Sequence, residues 1–461
     1  MPPADLKPNF EADLERLEAL AWQPAYSVDD LAKTLAKIYL SVAKANFSAY
    51  DVKVVGKAAP ALMYRLFDVR TSLRARIPEW RLRGLLTHET MAQLRDCLRV
   101  LRYVTDMLGE IAIGNARLPA GATMRPAFTG SDRNTLINWP FYNGRDLPFR
   151  SGDVVMMRGH AHNSAAIARI GDVDSQFSHI GMIHIDDTGQ HVMVESLIED
   201  GAVVNTLAHA FSHGLVRAVL YRHKDATLAA RAAQQIHDLV AASRKPLARR
   251  ILYDFSMRLD DRRRLFCSKL VHRAYALASN GAVKLPTYST HIGLRNRDFL
   301  DRIGVRTDVT FSPGDIDVEP DFDLVAEWQD YRETSNIRLQ DFTMDKIFEW
   351  MDGYNYRFKE TWLVWFVSIF GRLAARLSDD AKEMIVDVIP KIPINMRRRT
   401  IATVAMLHKT AEPIYHELRK LERECIAETG RPMHGDEIFA HLERIRAREG
   451  DKIGYLERSG I

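Results

Sequence analysis

FCSKLVHRAYALA, residues 266–278, decides how this chain is to be read. Leu270, Val271, Ala274, Leu277 and Ala278 recur at helical spacing, which predicts a helix with one apolar face. Cys267 stands at its first turn. Free backbone N–H groups and the positive end of the helix dipole favour thiolate over thiol there. Arg262, Arg263 and Arg264 lie just upstream and add positive potential. The same N–H groups suit the oxyanion of a tetrahedral intermediate. A half-buried cysteine at a helix start also fits this position, so position alone leaves both readings open.

A thiolate nucleophile needs a base, and the base needs an orienting acid. HIGMIHI (179–185) and HVMVES (191–196) are rich in Val, Ile and Met and read as two strands of a hairpin turning near residue 187 or 188. Directly opposed residues in a hairpin have numbers that add to a constant. A total of 374 sets His179 opposite Glu195; 376 sets Glu195 opposite Gly181, with His179 its diagonal neighbour. Either register puts the two side chains on one sheet face, whereas an odd total separates them. Glu195 is then placed to hold one ring nitrogen while the other addresses Cys267. The plainer alternative is a polar cross-strand pair on a wet face.

Around this hairpin, GDVVMMR (152–158) and LVRAVLYR (215–222) also read as strands, and 226–243 as a helix. Residues 9 to 115 read as helices. Ser27 with Asp30 resembles an N-cap ahead of Leu31, Leu35 and Ile38, and Cys97 falls on the stripe Leu94, Leu98, Leu101, Val104, Leu108. Residues 116–150, rich in Pro, Gly and Asn, read as a linker or irregular cover. After residue 336 helical spacing returns, with Cys425 on the stripe of Leu418 and Leu421. The expected architecture is α+β. A central unit at 146–330, an antiparallel sheet packed on the Cys267 helix, lies between helical regions at 1–145 (with the linker) and 331–461.

SGDVV (151–155), SHIGMI (178–183), VES (194–196), YDF (253–255), FCSKLVHRAY (266–275) and SPGDI (312–316) occur in an order that resembles the YiiX/YaeF-like permuted papain-fold cysteine hydrolases of the NlpC-type superfamily. The resemblance implies that Cys267 is the nucleophile, His179 the general base and Glu195 the orienting acid. Ser178, Tyr253 and Asp254 would support the site or position substrate. Lys269 departs from the pattern, which usually has Glu two residues after the cysteine; that puts a local salt bridge or substrate contact in question. The superfamily implies cleavage of an amide: a peptide, a cell-wall crosslink or an isopeptide. Relatives on the same scaffold act on lipid acyl esters, so a phospholipase or acyltransferase is the alternative. A non-catalytic helical scaffold is the second.

Composition narrows the partners. The 461 residues carry 64 Lys and Arg against 60 Asp and Glu, a balance too mild and too mixed for nucleic acid. Cys97, Cys267 and Cys425 form no CxxC pair, which argues against a zinc ribbon or disulfide framework and fits a reducing compartment. No secretory signal is visible and no apolar run is long enough to span a membrane, so a cytoplasmic location is expected, with non-classical export as the alternative. His160 and His162 form an HxH in a loop near the cleft or in solvent. Without a third ligand at suitable spacing they give no metal site. The sequence has no GxxxxGK or GxGxxG, and no cofactor is expected. Trp362, Trp365, Phe366, Ile369 and Leu373 share one helical face flanked by Lys359, Arg372 and Arg376. That face reads as core, or as an acyl-chain groove or peripheral membrane contact.

Overall fold

The computed structural model describes residues 9–114, 134–142, 147–212, 215–359 and 393–459. The aromatic stretch 362–373 lies outside them, as does most of the expected linker. The strands are β1 (Asn134–Ile137), β2 (Val154–Gly159), β3 (His179–Ile185), β4 (His191–Leu197), β5 (Gly201–Thr206), β6 (Leu215–His223), β7 (Leu252–Tyr253), β8 (Arg264–Leu265), β9 (Thr290–His291), β10 (Val309–Thr310) and β11 (Phe322–Gln329). Seven of them form one antiparallel sheet in the order β1-β11-β6-β2-β3-β4-β5. The fold is α+β, as expected.

Both faces of the sheet are covered, which explains why its strands read as continuous apolar runs rather than alternating ones. Val154, Met156, Ile180, Met182, Val194 and Val219 pack against helices Ala226–Ser243 and Cys267–Ala278. Val155, Met157, Ile183, Met193, Leu220 and Trp328 form the other face with Leu147 and Phe211. Three strands of the sheet depart from the sequence reading. β5 follows the turn after β4, β11 comes from a segment not read as a strand, and β1 comes from the stretch read as a linker yet adds the sheet's outer strand beside β11. Four-residue β1 has too few alternations to register as a strand before its partner is known.

The N-terminal helices are fastened to the sheet by a buried ionic layer. Glu327 on β11 accepts from Arg70 of helix Val52–Ala75 and, at 3.1 Å, from Arg102 Nε of helix His88–Gly114. Arg102 reaches on to Asp317 at 3.2 Å, and Arg217 on β6 binds Asp106. Burial opposes the charge on Glu327, but the two guanidinium groups outweigh it and hold its carboxyl at about 2. Its stabilising contribution is therefore complete above the ordinary glutamate range and is lost as pH falls toward 2. Glu327→Gln leaves two buried guanidinium groups short of a counter-charge. It is expected to cost about 3–5 kcal/mol and to lower the thermal midpoint measured by calorimetry at neutral pH.

The C-terminal helices Thr334–Gly353, Arg398–Thr429 and Gly435–Glu449 follow the expected helical pattern. A small sheet of Tyr356–Phe358, Lys452–Ile453 and Leu456–Arg458 beside them was not expected. Cys97 is fully buried as expected, whereas Cys425 is only half-buried and bonds to the end of its helix near Thr429. The expectation that His162 lies in a loop or solvent is corrected. It begins the short helix His162–Ile167 and is buried edge-on against His408 and Tyr415, and burial lowers its ring to about 3. Only His160 of the pair is exposed.

Candidate active site

The site begins where β8 runs into helix Cys267–Ala278. Phe266 is extended (φ −98°, ψ 171°), so the chain passes directly from strand to helix with Cys267 as its first residue. Among the described residues no side chain caps this helix start. Its leading N–H groups are therefore available to a charged group held there. The approach is pinned from two sides. The Leu265 carbonyl accepts the Ser196 hydroxyl at 2.6 Å and the Asp254 backbone N–H at 3.2 Å. Ser196 adjoins Glu195 on β4, so one strand both supplies the carboxylate and holds the segment that carries the sulfur.

The β3–β4 hairpin takes the 376 register: Met182 pairs with Val194 and Ile185 with His191. Glu195 consequently faces Gly181, which has no side chain, and the His179 ring reaches diagonally across that gap. A Cβ at Gly181 would come within 2.5 Å of the Met193 sulfur and 3.4 Å of the Glu195 Cβ. His179 Nε2 meets Glu195 Oε2 at 2.7 Å. That leaves Nδ1 for the Cys267 sulfur, which is close enough to act on the charge of the ring.

The electrostatics favour an ion pair. Burial works against a charged His179, but hydrogen bonds to Cys267 and Glu195 and their negative charge more than compensate, raising the ring to about 10. Burial also works against a Cys267 thiolate. The His179 hydrogen bond and charge, with donors from Ser268, reverse it and hold the thiol below its ordinary range. Glu195 is held below the usual glutamate range, against its burial, by His179 and Asn205. A lowered thiol, a raised imidazole and a lowered carboxyl in one row each favour the charged form: thiolate, imidazolium and carboxylate.

Asn205 was not anticipated. Its Nδ2 donates to Glu195 Oε1 at 2.8 Å, so both carboxylate oxygens are occupied. Asn205 pairs with Met193 across β4 and β5, which puts it on the same face as Glu195 and one diagonal step away. Finding it required β5, which the sequence reading omitted. Asn205→Ala frees Glu195 to turn away from His179. Alkylation of Cys267 by iodoacetamide near neutral pH is expected to slow by about threefold to tenfold, with Asn205→Asp slower still because it sets two carboxylates together.

Tyr253 and Asp254 lie on and just after β7, which pairs in parallel with β8, so both adjoin the segment leading to Cys267. Tyr253 is buried in one cluster with Phe266, and its carbonyl accepts Asn395 Nδ2 at 2.7 Å. Burial and the neighbouring Cys267 charge push the Tyr253 hydroxyl up. Asp254 Oδ1 accepts the N–H and hydroxyl of Ser256, while Oδ2 accepts Lys269 Nζ at 2.6 Å. The departure at residue 269 is thereby explained: Lys269 and Asp254 form a fully buried ion pair tying the first turn of the helix to the YD pair. Ser178 donates its backbone N–H to Met157 at 3.0 Å and so extends the β2–β3 ladder up to His179. His272, farther along the helix, bonds through Nδ1 to the Leu285 carbonyl and takes no part in the row.

Among the described residues no group of three or more His, Cys, Asp or Glu side chains is arranged to hold a metal ion. None of their helices is long and apolar enough to cross a membrane. No curated protein matches the chain. Residues 149–298, which carry β2 to β5, the YD pair and the Cys267 helix, match the family described as permuted papain-like amidase enzyme, YaeF/YiiX, C92 family.

Proposed function

We propose that the chain hydrolyses an amide bond through a thioester on Cys267, with His179 as acid and base and Glu195 as its orienting partner. The observation that carries this reading is the row itself. The Cys267 sulfur, the His179 ring and the Glu195 carboxylate follow one another at the head of an uncapped helix. The match to an amidase family favours an amide over a lipid ester.

In the reaction, the Cys267 thiolate attacks the carbonyl carbon and the carbonyl electron pair moves to oxygen. The Cys267 backbone N–H faces that oxyanion at the positive end of the helix. The intermediate collapses, the C–N bond breaks, and the His179 imidazolium gives its Nδ1 proton to the departing amine. Neutral His179 then takes a proton from water. The resulting hydroxide attacks the thioester, the carboxylic acid leaves, and the thiolate and imidazolium are restored. Glu195 stays ionised throughout and fixes the ring. Ser178, Tyr253 and Asp254 support the site: Asp254 through Lys269, Tyr253 by packing beside Phe266, and Ser178 by ending the ladder at His179.

The test incubates the full chain with cell-wall muropeptides and isopeptide-linked peptides, and in parallel with phosphatidylcholine vesicles. New primary amines and free fatty acid are measured. Amine release that disappears in Cys267→Ala is expected. Fatty-acid release dependent on Cys267, without amine release, would overturn the amide assignment.

A further inference from the structure

Residues 244–264 carry eight Arg and Lys against three Asp, a local excess of five in a chain whose whole excess is four. Seven of the eight are arginine. Arg244 is bound to the Asp200 and Ala202 carbonyls, and Arg258 to Asp260. Arg249, Arg250, Arg262, Arg263 and Arg264 are exposed, and among the described residues none has a carboxylate partner. The other acids of the stretch are occupied: Asp254 holds Lys269, and Asp261 accepts the Arg263 backbone N–H at 2.8 Å.

The fold gathers these five. β7 and β8 are parallel, with Leu252 opposite Arg264, so residues 249–250 and 262–263 enter the pair side by side. Both runs lead toward the nucleophile. Arg264 precedes Cys267 by three residues, about 10 Å of extended chain. We infer that this arginine lip selects an acidic substrate, a peptide amide bearing carboxylates beside the bond to be cut. The inference rests on the reading of Cys267 as the nucleophile.

Three observations favour a peptide carboxylate. Guanidinium forks match carboxylates two bonds at a time, and the cluster is built almost wholly of arginine. The lip also stands on the strands that feed the site. Within 244–264 Leu247 is the one large apolar side chain that stands fully exposed, whereas a membrane-binding face presents several.

The test uses the full chain carrying Cys267→Ala and fluorescein-labelled hexaglutamate, read by anisotropy in about 50 mM NaCl. Replacing the five arginines by alanine is expected to weaken binding at least about tenfold, as is raising NaCl to about 0.5 M. Hexalysine should not bind. Equal binding by both proteins overturns the inference. So does binding of phosphatidylserine vesicles, lost in the five-alanine variant, without binding of hexaglutamate. A second measurement separates this from the underlying chemistry. With Cys267 present, the rate ratio of anionic iodoacetate to neutral iodoacetamide should fall about fivefold in the five-alanine variant. An unchanged ratio at a reactive Cys267 defeats the inference and leaves the nucleophile standing. A Cys267 inert to both reagents defeats the nucleophile, and the substrate assignment with it.

Discussion

Cys267→Ala is expected to abolish amide hydrolysis while leaving the fold and its thermal midpoint nearly intact. In the proposed mechanism the sulfur forms the covalent bond, so no neighbouring group replaces it. Ser268 places a hydroxyl 3.8 Å from the sulfur, but it is buried. The thiol also contributes little packing beyond that of a small apolar side chain. Turnover measured beside circular dichroism distinguishes this from unfolding. Residual hydrolysis above a few per cent of wild type would assign the chemistry elsewhere.

His179→Ala is expected to have the second-largest effect. Without the imidazolium, burial is no longer outweighed, and the Cys267 thiol moves above its ordinary range. A less acidic sulfur is intrinsically more nucleophilic, by about threefold for each tenfold loss of thiolate, so part of the loss is returned. The net result at neutral pH is alkylation by iodoacetamide slower by about tenfold. The shape of the profile is more telling than the rate. In the wild type it should be flat from neutral pH upward. In the variant it should climb steadily through the alkaline range. Hydrolysis by the wild type should fall on the acid side as the thiolate is protonated, and on the alkaline side near pH 10 as His179 loses its proton.

Much of this site is legible in the sequence because hairpin geometry is arithmetic. Either even register puts His179 and Glu195 on one face, so their meeting did not depend on knowing which register forms. Choosing 376 over 374 needs the turn, where Asp186 accepts the Thr188 and Gln190 N–H groups and Gly189 takes φ +81°. Cys267 was legible for a different reason: strong helical periodicity begins at that residue. Asn205 was not legible, because GAVVNT is short and its position acquires meaning only beside β4. The Lys269–Asp254 pair was not legible either. It joins residues 15 apart in sequence through a parallel strand pair of two residues each, too short to leave a pattern. The ionic layer at Glu327 is formed by residues more than 200 apart, and nothing local marks its arginines as buried.

The most direct measurement is the ultraviolet absorbance of the thiolate, taken as the difference between wild type and Cys267→Ala and titrated from about pH 4 to about pH 9. The ion pair predicts a thiolate signal already developed at neutral pH, which shifts to the alkaline side in His179→Ala. A signal that first rises at the pH of an ordinary free thiol, unchanged by loss of the histidine, would contradict it.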